Sequence, residues 1–310
     1  MRTSGILLNY EGDFTDAIGL WDLRLGLDAQ TPFYTNNFYG IGNNTPARRL
    51  PDDDDDTYHR VRLAQVSFRP ALVRKYNSGA GLSAGPTFER LALERTEGRY
   101  ISEIADDLPS DIFMPHYYAG VLASYKYRNQ DNLISPTRGL AFRVDGGWKK
   151  RLGTPGMQFP YMQSALSIYQ RLEPSGRLVF ATRVGVDHRF NDRFEFFQAA
   201  TIGGSGPEAN FRGLRRDRYS GRTAFYQNID LRVTILDSGD WSLPMSLGVL
   251  AGFDHGRVWS ANEENRDGIW HKSYGGGVWM SPGNLMLLNF SVFRHVDDRA
   301  LFTFTSSFFF

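Results

Sequence analysis

The chain has 310 residues, with 35 Lys and Arg against 34 Asp and Glu, and no cysteine. The near-zero net charge gives no argument for nucleic-acid binding, and the lack of cysteine excludes a disulfide framework, a thiolate metal site and a cysteine nucleophile. No stretch approaches roughly 18 consecutive apolar residues, so the sequence excludes a transmembrane helix.

Aromatic residues are abundant for a chain of such low hydropathy. They make up 14% of the sequence, while the mean hydropathy is −0.39. A transmembrane β-barrel produces both values, because its strands alternate apolar and polar residues while aromatic girdles flank the apolar band. The composition therefore favours an all-β, antiparallel barrel in an outer membrane.

Alternation with a period of two predicts about thirteen strands, and no segment shows a helical period. In chain order the predicted strands are residues 1–10, 20–30, 57–73, 79–93, 115–128, 138–150, 159–172, 177–190, 222–236, 243–259, 269–280, 285–294 and 300–310. The first turn is predicted at residues 11–16. Most of these strands exceed the roughly 5–6 residues of globular sheets, whereas a tilted membrane strand needs about 9–11.

The connections alternate in length along most of the chain. Short turns are predicted at residues 75–78, 173–176, 237–240 and 281–284, and longer loops at residues 31–56, 94–114, 151–158, 191–221 and 260–268. Short turns at one end and long loops at the other are typical of outer-membrane barrels, where the turns are periplasmic and the loops extracellular.

The loop of residues 191–221, hereafter the long loop, contains the most unusual sequence of the chain. Gly204 is followed by Phe211, Arg212 and Gly213, and then by further arginines. If this loop folds into the barrel, Arg212 needs a carboxylate partner, because an unpaired buried charge is costly. Asp230 and Asp254 lie on the polar faces of later strands and are the candidates. The alternative is that Arg212 lies in a solvated loop among the other arginines.

The C-terminal residues form a second candidate signal. Phe302, Phe304, Phe308 and Phe310 are predicted to share one face of the last strand, and Phe310 ends the chain. A terminal aromatic residue on an alternating strand resembles the targeting signal of outer-membrane barrels. The alternative is an ordinary apolar edge strand, although such an edge would promote aggregation in water.

Other chemistry has weaker support. Residues 52–56 are five consecutive aspartates, which could bind calcium but more often form a solvated loop. Ser205 lacks the strand-turn-helix setting of a nucleophile, and the histidines show no metal-ligand spacing. We therefore expect no enzyme activity, no cofactor and no metal site.

The long-loop residues Gly203-Gly204 and Phe211-Arg212-Gly213 resemble the sixth extracellular loop of the BamA/TamA superfamily of outer-membrane assembly barrels, the bacterial surface antigen family. Leu214 stands where that family has an aromatic residue. Three further segments resemble it: Asp230-Leu231-Arg232, then Gly252-Phe253-Asp254-His255-Gly256, and a turn with Asp131-Asn132 and Pro136 to Gly139.

This resemblance implies a sixteen-stranded barrel of which residues 1–310 are the barrel domain, with the long loop in the lumen and Asp230, Arg232 and Asp254 as its partners. We expect the first strands, a signal peptide and a periplasmic domain to be missing from this chain.

The function implied is assembly, insertion or translocation of proteins at the outer membrane of a Gram-negative-type bacterium. The partners implied are outer-membrane lipid and unfolded outer-membrane or secreted client proteins, with accessory lipoproteins as an open addition and no nucleic acid. The alternative is a passive pore, or an anchor or secretion channel for a fused periplasmic or surface enzyme domain.

Overall fold

The computed structural model describes residues 5–32, 35–47, 57–204, 209–238, 244–260, 268–283, 285–296 and 299–310. These residues are almost entirely β-structure. Their helices are the four-residue α1 (Tyr100–Glu103) and two 3₁₀ turns, Ala105–Asp107 and Phe196–Gln198. Within this part of the chain, no helix is long and apolar enough to span a lipid bilayer.

The strands are β1 (Leu7–Ile18), β2 (Trp21–Gln30), β3 (Thr35–Asn37), β4 (Arg60–Lys75), β5 (Ala80–Glu94), β6 (His116–Gln130), β7 (Gly139–Arg151), β8 (Gln158–Arg171), β9 (Leu178–Arg189), β10 (Ala200–Ile202), β11 (Tyr219–Gly221), β12 (Thr223–Ser238), β13 (Met245–Trp259), β14 (His271–Pro282), β15 (Leu288–His295) and β16 (Leu301–Thr305).

The sheet is an antiparallel meander. Its order is β1-β2-β4-β5-β6-β7-β8-β9-β12-β13-β14-β15-β16, and β3 pairs with β4 beside this path. Strand β9 pairs directly with β12 because the intervening long loop leaves the sheet and forms its own two-stranded β10–β11 ribbon. The thirteen strands of the main path agree with the predicted number, and the all-β antiparallel barrel class is confirmed.

The two faces of the sheet are the reverse of those in a water-soluble protein. On β12, Asn228 and Asp230 point to the interior and are fully buried, whereas Leu231 and Ile235 on the other face are 41% and 64% exposed. On β13, Asp254 is likewise buried while Phe253 is exposed. Polar side chains therefore line the interior, and large apolar side chains cover the outer surface.

The first predicted turn is wrong. Residues 11–16 belong to β1, which continues to Ile18, and the chain reverses at Gly19 and Leu20. The polar residues that suggested a turn face the interior instead, where Arg24 of β2 lies 3.2 Å from the Glu11 carboxylate and 2.7 Å from that of Asp13. The acidic residues at alternate positions, Glu11 and Asp13, therefore belong to the inner face of β1 and not to a turn.

Loop residues close part of the interior at the long-loop end. Phe38, Ile101 and Ile112, from two different connections, pack with Phe159 and with inward side chains of β4 to β6. These apolar residues are buried because the loops fold over the sheet rather than extending away from it. The interior is therefore a packed compartment at this end.

At the opposite end, Asp131 organises the turn between β6 and β7. Its carboxylate accepts hydrogen bonds from the backbone N–H groups of Thr137 and Arg138 at 3.0 and 3.1 Å, and from Arg171 of β8 at 2.8 Å. Burial alone would raise the Asp131 pKa, but the Thr137 hydroxyl, these N–H groups and Arg171 together lower it to about 2.

We expect Asp131→Asn to lower the free energy of unfolding by about 1–2 kcal/mol at pH 7, because the turn loses a charged acceptor. Since the folded-state pKa of about 2 lies below the ordinary 3.8, the carboxylate stabilises the fold at neutral pH, and that stabilisation is lost as the pH falls through both values. Urea titrations at several pH values measure this difference. Glu97→Gln, at an exposed loop position, is the control, and an equal effect of both changes would contradict the prediction.

Candidate functional site

The long loop lies against the interior faces of β12 and β13. Its β10–β11 ribbon and the side chains of Phe211 and Leu214 pack on Ala224 and Val258, and all these residues are essentially inaccessible to solvent. Gly204 donates its backbone N–H to the Leu214 carbonyl at 3.1 Å, which closes the loop on itself. The loop is thus a core element of the interior rather than a solvated surface segment.

The side chain of Arg212 is held by hydrogen bonds and ion pairs on all of its guanidinium nitrogens. Its Nη2 and Nε lie 2.6 and 3.0 Å from the two carboxylate oxygens of Asp254, and its Nη1 lies 2.7 Å from Asp230 Oδ1. Its backbone N–H also donates to Asp254 Oδ2 at 2.8 Å, while its carbonyl accepts from the Ser273 hydroxyl at 2.6 Å. Burial alone would lower the Arg212 pKa, but the two carboxylates outweigh it and raise that pKa above its ordinary value.

Arg232 completes the cluster. Its Nη2 lies 3.0 Å from Asp230 Oδ2, so that two guanidinium groups and two carboxylates meet in one place, each with a side chain no more than 5% exposed. Together they are neutral, which is the condition under which charges are tolerated in an interior. We call Arg212, Arg232, Asp230 and Asp254 the loop anchor.

Two glycines make room for the loop anchor. A Cβ on Gly252 of β13 would lie 3.0 Å from Arg212 Nη2 and 2.6 Å from the ring of Phe293, which stacks on the guanidinium at 4.0 Å. Gly213 follows Arg212 with a φ of +73°, in the left-handed region that favours glycine. A larger residue at position 252 would push the guanidinium off its carboxylates, and one at position 213 would strain the backbone and meet Ser273 and Arg294.

A second buried cluster, absent from the sequence-based candidates, fixes the start of the long loop. The carboxylate of Glu195 lies 2.8 Å from His116 Nδ1 and 3.1 Å from Arg151 Nη1, and it accepts a hydrogen bond from Tyr118. Arg151 also contacts Asp111 in the β5–β6 connection. Glu195 lies in an aromatic run of the sequence, Phe194 to Phe197, which is the one local signal that this part of the loop is buried.

The chain end differs from the prediction. Phe302 and Phe304 lie on the outer face of β16 and are about 70% exposed, but the strand ends at Thr305. Residues Ser306–Phe310, hereafter the C-terminal segment, turn into the interior. Phe308 and Phe310 therefore do not share the face of Phe302 and Phe304, and the prediction of one common face is wrong.

Arginine side chains hold the C-terminal segment inside. The Arg232 guanidinium lies 3.9 Å from the ring of Phe308 and donates to the Phe310 carbonyl at 3.0 Å. The guanidinium of Arg212 lies 4.9 Å from the ring of Phe309. These cation–π contacts and the buried ring of Phe308 stabilise an inward course that the period-two pattern alone does not indicate.

Two sequence candidates cannot be assessed, since Ser205 and the aspartates of residues 52–56 lie outside the described residues. In the parts of the chain that the structure describes, no group of three or more His, Asp or Glu side chains is arranged to hold a metal ion.

The fold is similar to that of BamA, whose crystal structure is known. The chain matches the crystal structure of BamA from Haemophilus ducreyi lacking POTRA domains 1–3 with a TM-score of 0.64 and 15% sequence identity. The match covers 97% of this chain and 61% of that one, so the chain spans about three fifths of the length of the BamA chain it matches. No protein-family model matches the sequence, and no curated protein matches it.

We expect Asp254→Asn to lower the free energy of unfolding by about 3–5 kcal/mol, because it leaves the buried Arg212 with one carboxylate instead of two. Trypsin should also cleave faster after Arg216, whose side chain is 62% exposed in the same loop. Asp192→Asn removes the same charge from an exposed pair with Arg222. It should lower the free energy of unfolding by less than about 1 kcal/mol and leave the rate of cleavage after Arg216 nearly unchanged. Equal effects of the two variants would show that the loop anchor does not hold the loop.

Phe308→Ala should lower the free energy of unfolding by about 3–5 kcal/mol, because the ring is buried between Trp279 and the Arg232 guanidinium. Phe302→Ala removes the same kind of side chain from the outer face of β16, and we expect it to lower the free energy of unfolding much less. Urea unfolding of both variants in the same detergent measures the difference. A larger loss for Phe302→Ala would place the C-terminal segment outside the interior.

Proposed function

We propose that this chain is the barrel of an outer-membrane machine that assembles, inserts or translocates other proteins. The observation that carries the proposal is Arg212, held between Asp230 and Asp254 inside a barrel with the fold of BamA. A barrel whose task is passive conduction has no need of a loop pinned to its inner wall by a buried ion-pair cluster. A barrel whose strands separate during its work needs such an anchor, because the anchor keeps the long loop in one position while the wall opens.

The outer surface supports placement in an outer membrane. Exposed apolar side chains recur on alternate positions of neighbouring strands, for example Leu231 on β12, Phe253 on β13, Val278 on β14 and Phe290 on β15. In water this surface would favour aggregation, whereas in a bilayer it matches the hydrocarbon region. We infer that lipid of a Gram-negative-type outer membrane is the first partner of the chain.

The last strand is the proposed place where client strands pair. β16 has five residues and five register pairs with β15, whereas β12 and β13 run 16 and 15 residues. β1 and β16 are the two end strands of the sheet, and the proposed seam lies between them, next to a last strand that only a short ladder holds to β15. An incoming client strand would then pair with the freed backbone groups by β-augmentation.

The test uses purified protein reconstituted in liposomes together with an unfolded, small outer-membrane barrel as the client. Folding of the client is followed by its heat-modifiable gel mobility. We expect the wild-type protein to accelerate folding and Arg212→Ala to reduce the acceleration by about tenfold or more, because breaking a buried ion pair costs about 3–5 kcal/mol. The same gels show whether each barrel is itself folded.

The matched control is Arg216→Ala, which removes the same charge from an exposed position of the same loop and should keep the wild-type rate. If wild-type protein conducts ions but leaves client folding unchanged, the passive pore or anchor is the better account. An Arg212→Ala variant that is folded and fully active would refute the role of the loop anchor.

A further inference from the structure

A cavity of about 600 Å³ lies in the interior at the short-turn end. It is bounded by inward residues of β6 to β9, by the β6–β7 turn and by the C-terminal segment. Its charged side chains are Lys126 and Arg128 of β6, Arg143 of β7 and Arg183 of β9. No Asp or Glu is among the described residues that line it, so all four of the charged side chains on its wall are cationic.

The backbone register brings two of these charges directly together. Lys126 on β6 is the cross-strand partner of Arg143 on β7, and like charges at directly opposed positions destabilise a sheet. Arg128 stands two residues further along the same face. A fold that keeps such an arrangement at its inner surface carries a local cost that a bound counter-ion would remove.

The four cationic side chains differ in how far their N–H groups are already hydrogen-bonded to other protein groups. Arg143 contacts Asp145 beside the cavity, and Arg183 donates to Asn228 Oδ1 at 2.8 Å and to the Ala209 carbonyl at 3.1 Å. In the described part of the chain, Lys126 and Arg128 have no ion pair, and both side chains are exposed to the interior space. These two residues are therefore the available donors, and Arg143 and Arg183 add to the positive potential.

We propose that this cavity binds an oxyanion carrying more than one negative charge, of the phosphate class. Concave surfaces lined by charges of one sign concentrate counter-ions, since the low-dielectric wall focuses the field. Lysine and arginine together suit a phosphate group, which offers several acceptor oxygens to separate N–H donors. Gln130 and Ser167 on the same wall supply polar neighbours. None of the four loop-anchor residues lines the cavity, and the inference holds whether or not the barrel assembles proteins.

Isothermal titration calorimetry tests the proposal, using the folded protein in a non-ionic detergent and a chloride buffer of constant ionic strength. Sodium pyrophosphate is the probe. Wild-type protein should bind one equivalent, and Lys126→Gln with Arg128→Gln should weaken the apparent dissociation constant by at least about tenfold, equal to 1.4 kcal/mol. The double variant should also unfold at a higher temperature than wild type in chloride alone, because the like-charge repulsion is removed.

The matched control is Arg74→Gln with Lys75→Gln, which removes two positive charges from the end of β4, outside the cavity. It should bind pyrophosphate as wild type does. Lys126→Arg keeps the charge and should keep binding, which separates loss of the site from loss of folding. No binding to wild type, or equal weakening in the control, would overturn the proposal.

Two further titrations identify the source of the phosphate group. Short-chain phosphatidylglycerol that binds more tightly than pyrophosphate would indicate a lipid headgroup, and the reverse order would indicate a free phosphate or pyrophosphate. Binding of polyglutamate without binding of pyrophosphate would refute the phosphate class and assign the cavity to acidic polypeptide.

Discussion

The guanidinium of Arg212, held by Asp230 and Asp254, is the constraint on which the interior depends. Each of the three groups would be costly to bury alone, and together with Arg232 they form a neutral cluster. Such clusters contribute little net stability compared with apolar packing, but they tolerate few alternative arrangements. The long loop therefore has one course through the barrel, because any other leaves buried carboxylates without their arginine.

The loop anchor acts together with a second fixed point. At the start of the loop, Glu195 is bound to Arg151 and His116 on the β6–β7 wall, while Arg212 is bound to β12 and β13. Further along the loop, Arg218 donates to the Thr45 hydroxyl at 2.8 Å, which adds the β3–β4 connection. The loop thus joins three separate parts of the wall, and a movement of one part is resisted by the others.

The sequence predicts the parts of this structure that are set by local periodicity. Alternation on β12 and β13 places Asp230 and Asp254 on the inner face, since side-chain direction repeats every two residues. The same rule misleads at residues 11–16, where acidic residues on alternate positions look like a turn unless Arg24 is known to face them. It also misleads at Phe308, because where the last strand ends depends on arginines far away in the sequence.

The burial of Glu195 is a clearer case of a feature that the sequence pattern does not predict. Its partners come from β6 and β7, and none of them lies within forty residues in the sequence. Whether a carboxylate in a loop is buried depends on how the loops fold over the barrel, and no periodic pattern records that. The same holds for Gly252. The need for a glycine there becomes clear only from the structure, in which Arg212 and Phe293 pack against this position.

The C-terminal segment connects the end of the sheet to the loop anchor. Phe308 and Phe309 lie on the faces of Arg232 and Arg212, the same two guanidinium groups whose edges bind Asp230 and Asp254. A guanidinium can be bound at its edge by carboxylates and on its face by a ring at the same time, so the two sets of contacts support each other. Displacing the five residues after β16 removes the rings but not the carboxylates. The long loop would then stay anchored while the end of the sheet is free, which is the order of events that the proposed opening at the last strand requires.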